Sequence, residues 1–322
     1  MKNLKKTSII LSILSFLTLF TSANAEIKVV ASIKPIHSLA SYLMDGVAKP
    51  DLIVDGYASP HGFAMKPSHA KMLQNADIVF WVGEDLENFL EKPLNSIATK
   101  AEKIEFMDLK GLVKLKFRER NIFDDHDDHD HDEHAKKEDG HDDHDDHDGH
   151  EGHHHGEFDP HIWLDPINAK TILFEMSKHL IENDPTNESA YRANLSKAYK
   201  DIDKLTSDVT AELNESTASI VFHDAYQYFE ERFKVNILGA FTVNTDVLPG
   251  AEQLAEIREV IEHDKVACVF SEPQFNPNII KAVAKDMNIK TGVVDPLGAT
   301  LTPGKGLYFD LIKNMSKSFK GC

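Results

Sequence analysis

Residues 28–44 read KVVASIKPIHSLASYLM, a short apolar run that passes through a proline into a longer mixed stretch. Residues 28–32 suit a strand buried on both faces, because β-branched valines fill a pleated surface and no polar alternation marks a solvent side. Pro35 is compatible with the first turn of a helix, where its missing N–H removes no bond, and residues 36–44 are predicted as that helix. A strand that feeds directly into a helix opens a βαβ unit.

The alternation continues outward. Residues 51–55 read as a second strand, closed by a turn at Gly56 and Pro60. A helix over 68–74, a strand over 76–82, a helix over 86–98 interrupted at Pro93 and a strand over 103–107 follow. Beyond an inserted polar tract, 162–183 resumes a helical pattern. After Pro185, Tyr191, Leu195, Ala198, Ile202, Leu205, Val209 and Leu213 step by threes and fours. That single stripe predicts a helix of about 29 residues, roughly 43 Å long, a plausible rigid connector. Strands then return over 219–222, 236–241, 267–270 and 290–294, with helices over 225–233, 252–263 and 277–287. The pattern predicts an α/β fold of two lobes, each with a mainly parallel sheet flanked by helices, joined by one long helix. The expected division is 1–25 as a leader, 26–184 as the N-terminal lobe, 185–215 as the connector and 216–322 as the C-terminal lobe.

The leader is a secretory signal peptide by layout: Lys2, Lys5 and Lys6, an apolar stretch over 9–20, and Ala23-Asn24-Ala25 before the expected cut. No later run reaches the ~20 apolar residues of a membrane helix. Export to an oxidising compartment, the periplasm, gives the two cysteines a meaning. Cys268 and Cys322 are expected to pair, closing a long loop worth about 4 kcal/mol in the chain-entropy model, with two free thiols as the alternative.

Residues 124–156 contain 11 His, 15 Asp or Glu and two Lys, with no apolar residue larger than alanine. Such a segment has nothing to offset the entropy of ordering its backbone, so a solvated loop is expected. Of the formal charge of −18, the tract carries −13 and the leader +3, leaving −8 for the remainder. A body of that charge without a basic patch gives no reason to expect nucleic acid as a partner. The tract's imidazoles and carboxylates are donors that borderline divalent metals prefer. His126, His129, His131, His134, His141, His144, His147, His150, His153, His154 and His155 are therefore expected to form a weak, multi-ion auxiliary site.

Seven histidines lie outside the tract. His61, His161 and His223 each stand where a strand ends or a turn begins, the places where α/β lobes build ligand sites. Three neutral imidazoles and one further oxygen would make a tetrahedral zinc set. For each of the three taken singly, a structural or surface role is the commoner reading, and their spacing matches no compact metal motif. His37, His69, His179 and His263 fall within predicted helices among polar neighbours, where surface or helix-end roles are expected. Trp81 and Trp163 are expected to pack in core or cleft walls.

The wording around the three histidines is more specific. YASPHGFAMKPSHAKMLQNADIVFWVG (57–83), DPHIWLDP (159–166), VFHDAYQYFEERF (221–233), FSEPQFNP (270–277) and VVDPLG (293–298) occur in one order. Together they resemble the ZnuA family, the zinc-binding receptors of bacterial ABC importers, and the likeness runs through essentially the whole mature chain. The resemblance implies an extracytoplasmic receptor that holds Zn²⁺ between two lobes and delivers it to an ABC permease, working as a monomer. Its three histidine ligands fall on His61, His161 and His223, and a fourth on Asp295, with water as the alternative because Pro60 stands where some relatives carry an acid. Asp295 could equally cap the turn before Pro296, and Glu272, at another strand end, is read as mainly structural.

Rival readings are a manganese receptor of the same class, a free-standing zinc buffer or adhesin, and a zinc hydrolase. A site richer in histidine than carboxylate favours zinc over manganese. The chain carries no HExxH helix and no evident general base beside the ligands, which argues against an enzyme.

Overall fold

In the computed structural model, which describes residues 26–123, 156–213, 217–245, 247 and 249–322, the opening valine run is strand β1 (Val29–Ile33), buried throughout. Helix α1 (Lys34–Leu43) follows at once with Pro35 in its first turn. Then come β2 (Asp51–Val54), α2 (Pro67–Asn75), β3 (Ile78–Trp81), α3 (Asn88–Ser96) and β4 (Glu102–Glu105). The strands pair in parallel in the order β2-β1-β3-β4. Pro93 lies inside α3 instead of interrupting it; only the one bond its N–H would have made is lost.

Helix α4 (Pro166–Asn183) starts later than expected. Residues Ile162–Leu164 form a 3-10 turn instead, and Asp165 caps α4 by accepting from the Ile167 N–H at 2.8 Å. Helix α5 (Glu188–Glu212) has 25 residues, about 37 Å at the ordinary rise, and buries Tyr191, Ala198, Ile202, Leu205 and Val209 of the expected stripe.

The second lobe repeats the first. Its elements are β5 (Ser219–His223), α6 (Gln227–Phe233), β6 (Ile237–Thr242), α7 (Ala251–His263), β7 (Cys268–Ser271), α8 (Asn278–Met287) and β8 (Lys290–Val293). The parallel order β6-β5-β7-β8 is the topology of the first sheet. A final helix, α9 (Leu307–Lys320), has no counterpart in the sequence-based expectations. It packs on α5 and α1, and its Phe319 stacks on Phe229. Cys268 and Cys322 form the expected disulfide.

Besides α5 and α9, other contacts hold the lobes together, and one apolar core runs through both. Residues 112–123 cross to the second sheet, where Ile122 bridges Gly239 in antiparallel fashion and the Ala240 N–H donates to the Asn121 carbonyl at 2.7 Å. A Cβ at Gly239 would stand 2.5 Å from that carbonyl oxygen, so only glycine admits the approach. Arg232 donates to both carboxylate oxygens of Asp165 at 2.8 and 2.7 Å, the bidentate geometry that suits a guanidinium. No helix among the described residues is long and apolar enough to cross a membrane. The leader and the eleven tract histidines lie outside the described residues.

Candidate metal centre

The register of the second sheet places its key pair. Strands β5 and β7 run side by side in parallel with Ser219 opposite Cys268 and Ile220 opposite Val269. Carried to the strand ends, the same 49-residue offset sets His223 beside Glu272. This is the point where strand order reverses, the usual crevice of an open α/β sheet. His223 Nδ1 lies 2.8 and 3.0 Å from the two Glu272 carboxylate oxygens.

His161 comes from the other lobe, at the head of the 3-10 turn. Asp159, two residues earlier, accepts from both the His161 backbone N–H (2.9 Å) and its ring Nδ1 (2.7 Å). His61 arrives on the loop between β2 and α2, its backbone N–H directed at the Ser59 hydroxyl at 3.3 Å. The three ring centroids stand 5.2 to 5.6 Å apart, and one ring nitrogen from each lies within 4.8 Å of the others.

The proton inventory suits a cation. Carboxylates accept and do not donate, so Asp159 and Glu272 fix the ring protons of His161 and His223 on Nδ1. Each Nε2 then presents a lone pair, and the two Nε2 atoms face one another at 3.3 Å. An ion between them would relieve that repulsion and gain two ligands whose outer carboxylates already hold their orientation. Burial, and then the neighbouring His223, hold the His161 imidazole well below its ordinary value, so it stays neutral. His223 is equally buried, but Glu272, Asp224 and Asp159 together outweigh that penalty and raise it. Burial pushes Asp159 up to about 7. Asp224, also buried and pushed up to about 7, is paired with Arg118 at 3.2 Å.

A pocket of about 10 Å³ lies among the rings, walled by Pro60, Trp163, Phe275 and Leu297. That is room for one water-sized body, enough for an ion and too small for an organic ligand. It adjoins a cleft of about 460 Å³ lined by residues of both lobes, among them Phe63, Asp85, Phe158 and Asp224.

Asp295 is not in this cluster. Its Oδ1 accepts from the N–H groups of Leu297 (3.1 Å) and Gly298 (2.9 Å) and from the Gln274 amide (2.9 Å), while Oδ2 accepts from the Ala299 N–H at 2.6 Å. The carboxylate caps its own turn, the other role its sequence context allows. Asp159 escaped the sequence-based search, although its place two residues before His161 is a local signal. Glu272 orients a ring instead of serving only as scaffold.

Of the remaining histidines, His37 and His69 depart from the expected surface roles, and the His179 side chain on α4 is only 12% exposed. His37 is buried, with Nε2 3.1 Å from the Pro50 carbonyl. His69 is also buried; its Nδ1 accepts from the Lys66 N–H at 3.2 Å, and its ring stacks on Phe63. His263 is exposed at the end of α7. Trp163 is a wall of the ion pocket, its ring 5.3 Å from that of His161, and Trp81 is buried at the end of β3.

Known proteins match this chain over nearly its whole length. The family model described as ZnuA, zinc-uptake complex component A, periplasmic, matches residues 29–322. The high-affinity zinc uptake system protein ZnuA of Brucella abortus is 47% identical over 304 residues, covering 91% of each chain. Its counterpart in Yersinia pestis is 35% identical over 319 residues, covering 98% of this chain and 97% of the relative. Among solved structures, a zinc-bound ZnuA mutant lacking its residues 138–173 superposes with a TM-score of 0.72 at 20% identity, covering 92% of this chain and 97% of its own. A manganese-bound periplasmic metal-binding protein from Candidatus Liberibacter asiaticus gives 0.71 at 17% identity, covering 92% and 98%.

Proposed function

Because the chain belongs to the ZnuA family of periplasmic zinc-uptake components, we propose that it is the extracytoplasmic receptor of a zinc importer, capturing Zn²⁺ between its lobes and passing it to an ABC permease. The observation that carries this reading is the trio of imidazoles, drawn from both lobes around a pocket of about 10 Å³. Zinc is the cargo. His61, His161 and His223 each supply a nitrogen, Asp159 and Glu272 hold two of the rings, and a water completes the tetrahedron because Asp295 is engaged by its own turn. Nitrogen donors favour zinc over manganese, which prefers oxygen. No bond of the cargo is made or broken, so the reading requires no catalytic residue.

The same proposal covers the lobe boundaries at 26–184, 185–215 and 216–322, with α9 spanning both lobes, and the working state as a monomer in the periplasm after loss of residues 1–25. The His/Asp tract gathers ions weakly and does not form the tight site. The test is the metal content of the mature protein. One tight zinc equivalent is expected, and His161→Ala should weaken it by more than the ~10–100-fold that loss of an outer-shell partner costs. A variant with His61, His161 and His223 all replaced by Ala that still held one tight equivalent outside the tract would refute the assignment.

A further inference from the structure

On α4, well separated in sequence from the three cleft histidines, His179 is surrounded by glutamates and its side chain is only 12% exposed. Its Nε2 lies 3.0 Å from Glu175 Oε1, one turn earlier. Its Nδ1 lies 2.8 Å from Glu102 Oε1 on β4 and 3.8 Å from Glu182 Oε2. The two nitrogens are not equivalent. Glu175 accepts a hydrogen bond from Nε2, whereas Glu102 sits off the direction in which Nδ1 could donate, and this buried nitrogen makes no hydrogen bond. With the ring proton on Nε2, the Nδ1 lone pair faces two carboxylates. As at His161 and His223, one ring nitrogen donates to a carboxylate and the other presents a lone pair.

We propose that His179, Glu102 and Glu182 form a second divalent-cation site, separate from the cleft, with Glu175 orienting the imidazole. One ligand atom from each lies within 4.8 Å of the others, a spacing that small side-chain adjustments bring to bonds of about 2.0–2.2 Å around one zinc-sized ion. Asn183 donates to the second Glu102 oxygen at 2.8 Å and holds that carboxylate in place. Glu182 is 56% exposed and free to swing inward.

Two further observations fit a cation here. His179 and Glu175 line a cavity of about 430 Å³ with Glu84, Glu91, Glu105 and Asp108. Burial, and then the charges of Asp108 and Glu84, push Glu105 up to about 7, and Lys103 is a cation on the lining of the same cavity. Trp81, 5% exposed, lines the same cavity, and its indole N–H has no acceptor among the described residues. Glu84 also lines the cleft, so the acidic cavity and the cleft are neighbours.

The test is zinc anomalous scattering from crystals of the full mature chain in millimolar ZnCl₂, paired with the His179 ring resonance in solution, identified by its loss in His179→Gln. The expected result is a zinc peak bonded to His179 Nδ1, Glu102 and Glu182, and a ring resonance that shifts on zinc addition. Both should be lost or weakened at least tenfold in Glu182→Gln, whose exposed side chain can change without disturbing the packing. No peak at His179 while the cleft is filled, a peak that survives His179→Gln, or a ring resonance that zinc leaves unmoved would each overturn the proposal.

Discussion

Replacing Glu272 by Gln tests whether the carboxylate behind His223 tunes the site or merely fills space. The side chain is fully buried and both of its oxygens approach His223 Nδ1, at 2.8 and 3.0 Å. Outer carboxylates of this kind are worth about 10–100-fold in metal affinity. Gln keeps one acceptor oxygen, so the ring proton stays on Nδ1 and orientation survives; what disappears is the negative charge. The loss should therefore sit near the lower end, about tenfold or ~1.4 kcal/mol around pH 8, with Glu272→Ala nearer 100-fold. The pH dependence sharpens the test. Burial opposes the His223 charge, but Glu272 raises its affinity for a proton above the ordinary value of 6.5. Below that pH, zinc must displace a proton from the wild-type ring, and about one unit below 6.5 the apparent affinity falls at least roughly tenfold. In Glu272→Gln burial is opposed only by Asp224 and Asp159, so His223 stays neutral to lower pH than in the wild type and this penalty shrinks. The deficit of the variant should narrow as the pH falls from about 8 to about 5.5. The assay is competition for zinc against a chromophoric chelator, reading the tightest equivalent at each pH. A deficit that stays constant or widens on acidification would refute the reasoning.

Deleting residues 124–156 should remove weak zinc equivalents and leave the tightest one within about threefold, measured by the same competition; its loss would mean the tract supplies a ligand to the cleft. Reducing the Cys268–Cys322 bond, which closes a 54-residue separation, should cost about 4 kcal/mol in the chain-entropy model. That corresponds to roughly 6 °C in a calorimetric melting temperature, and a shift under about 2 °C would show that the unfolded chain is not what the bond restrains. Gly239→Ala forces a Cβ to 2.5 Å from the Asn121 carbonyl oxygen, and the overpacking should cost about 1–3 kcal/mol. Hydrogen exchange should speed up at the Phe123 and Ala240 amides, which bond across this contact; unchanged exchange there would show that the crossing segment does not depend on glycine.

The βα alternation was legible because buried strands such as Val29–Ile33 are continuous apolar runs and the α5 stripe is long and regular. The α9 stripe, with Leu307, Leu311, Ile312, Met315 and Phe319 buried, carries the same kind of periodicity, but lysines and serines between its apolar positions dilute it. The three cleft histidines could be selected by their positions at strand ends and by the wording around them, but not by spacing. Their outer carboxylates divide by cause. Asp159 is two residues from its partner and so leaves a local trace, whereas Glu272 reaches His223 only through the β5–β7 register, which no local window contains. Asp295 shows the converse: a carboxylate at a strand end looks like a ligand until the N–H groups of its own turn claim both oxygens.

The two lobes share one topology and use its switch point differently. In the second lobe the ends of β5 and β7 carry His223 and Glu272 toward the ion pocket. In the first lobe the corresponding ends of β1 and β3 lead to Lys34 and Glu87, and neither faces the pocket. Glu87 is fully buried, accepts from the Val82 and Gly83 N–H groups at 3.1 and 2.9 Å, and burial pushes it up to about 7. Lys34 instead reaches into the other lobe and donates to the carbonyls of Gly298, Ala299 and Leu301 at 3.1, 2.8 and 3.0 Å. The loop it grips is the one Asp295 caps, and the Pro296 carbonyl of that loop accepts from the Trp163 indole at 2.8 Å. Trp163 stands two residues after His161. The N-terminal lobe therefore uses its switch point to fasten a loop that in turn fastens the turn bearing a candidate ligand. Rings held in this way lose little freedom when an ion arrives, and the affinity gained is that of preorganisation. On this argument, loosening Lys34 or Trp163 would weaken zinc binding without removing a single ligand.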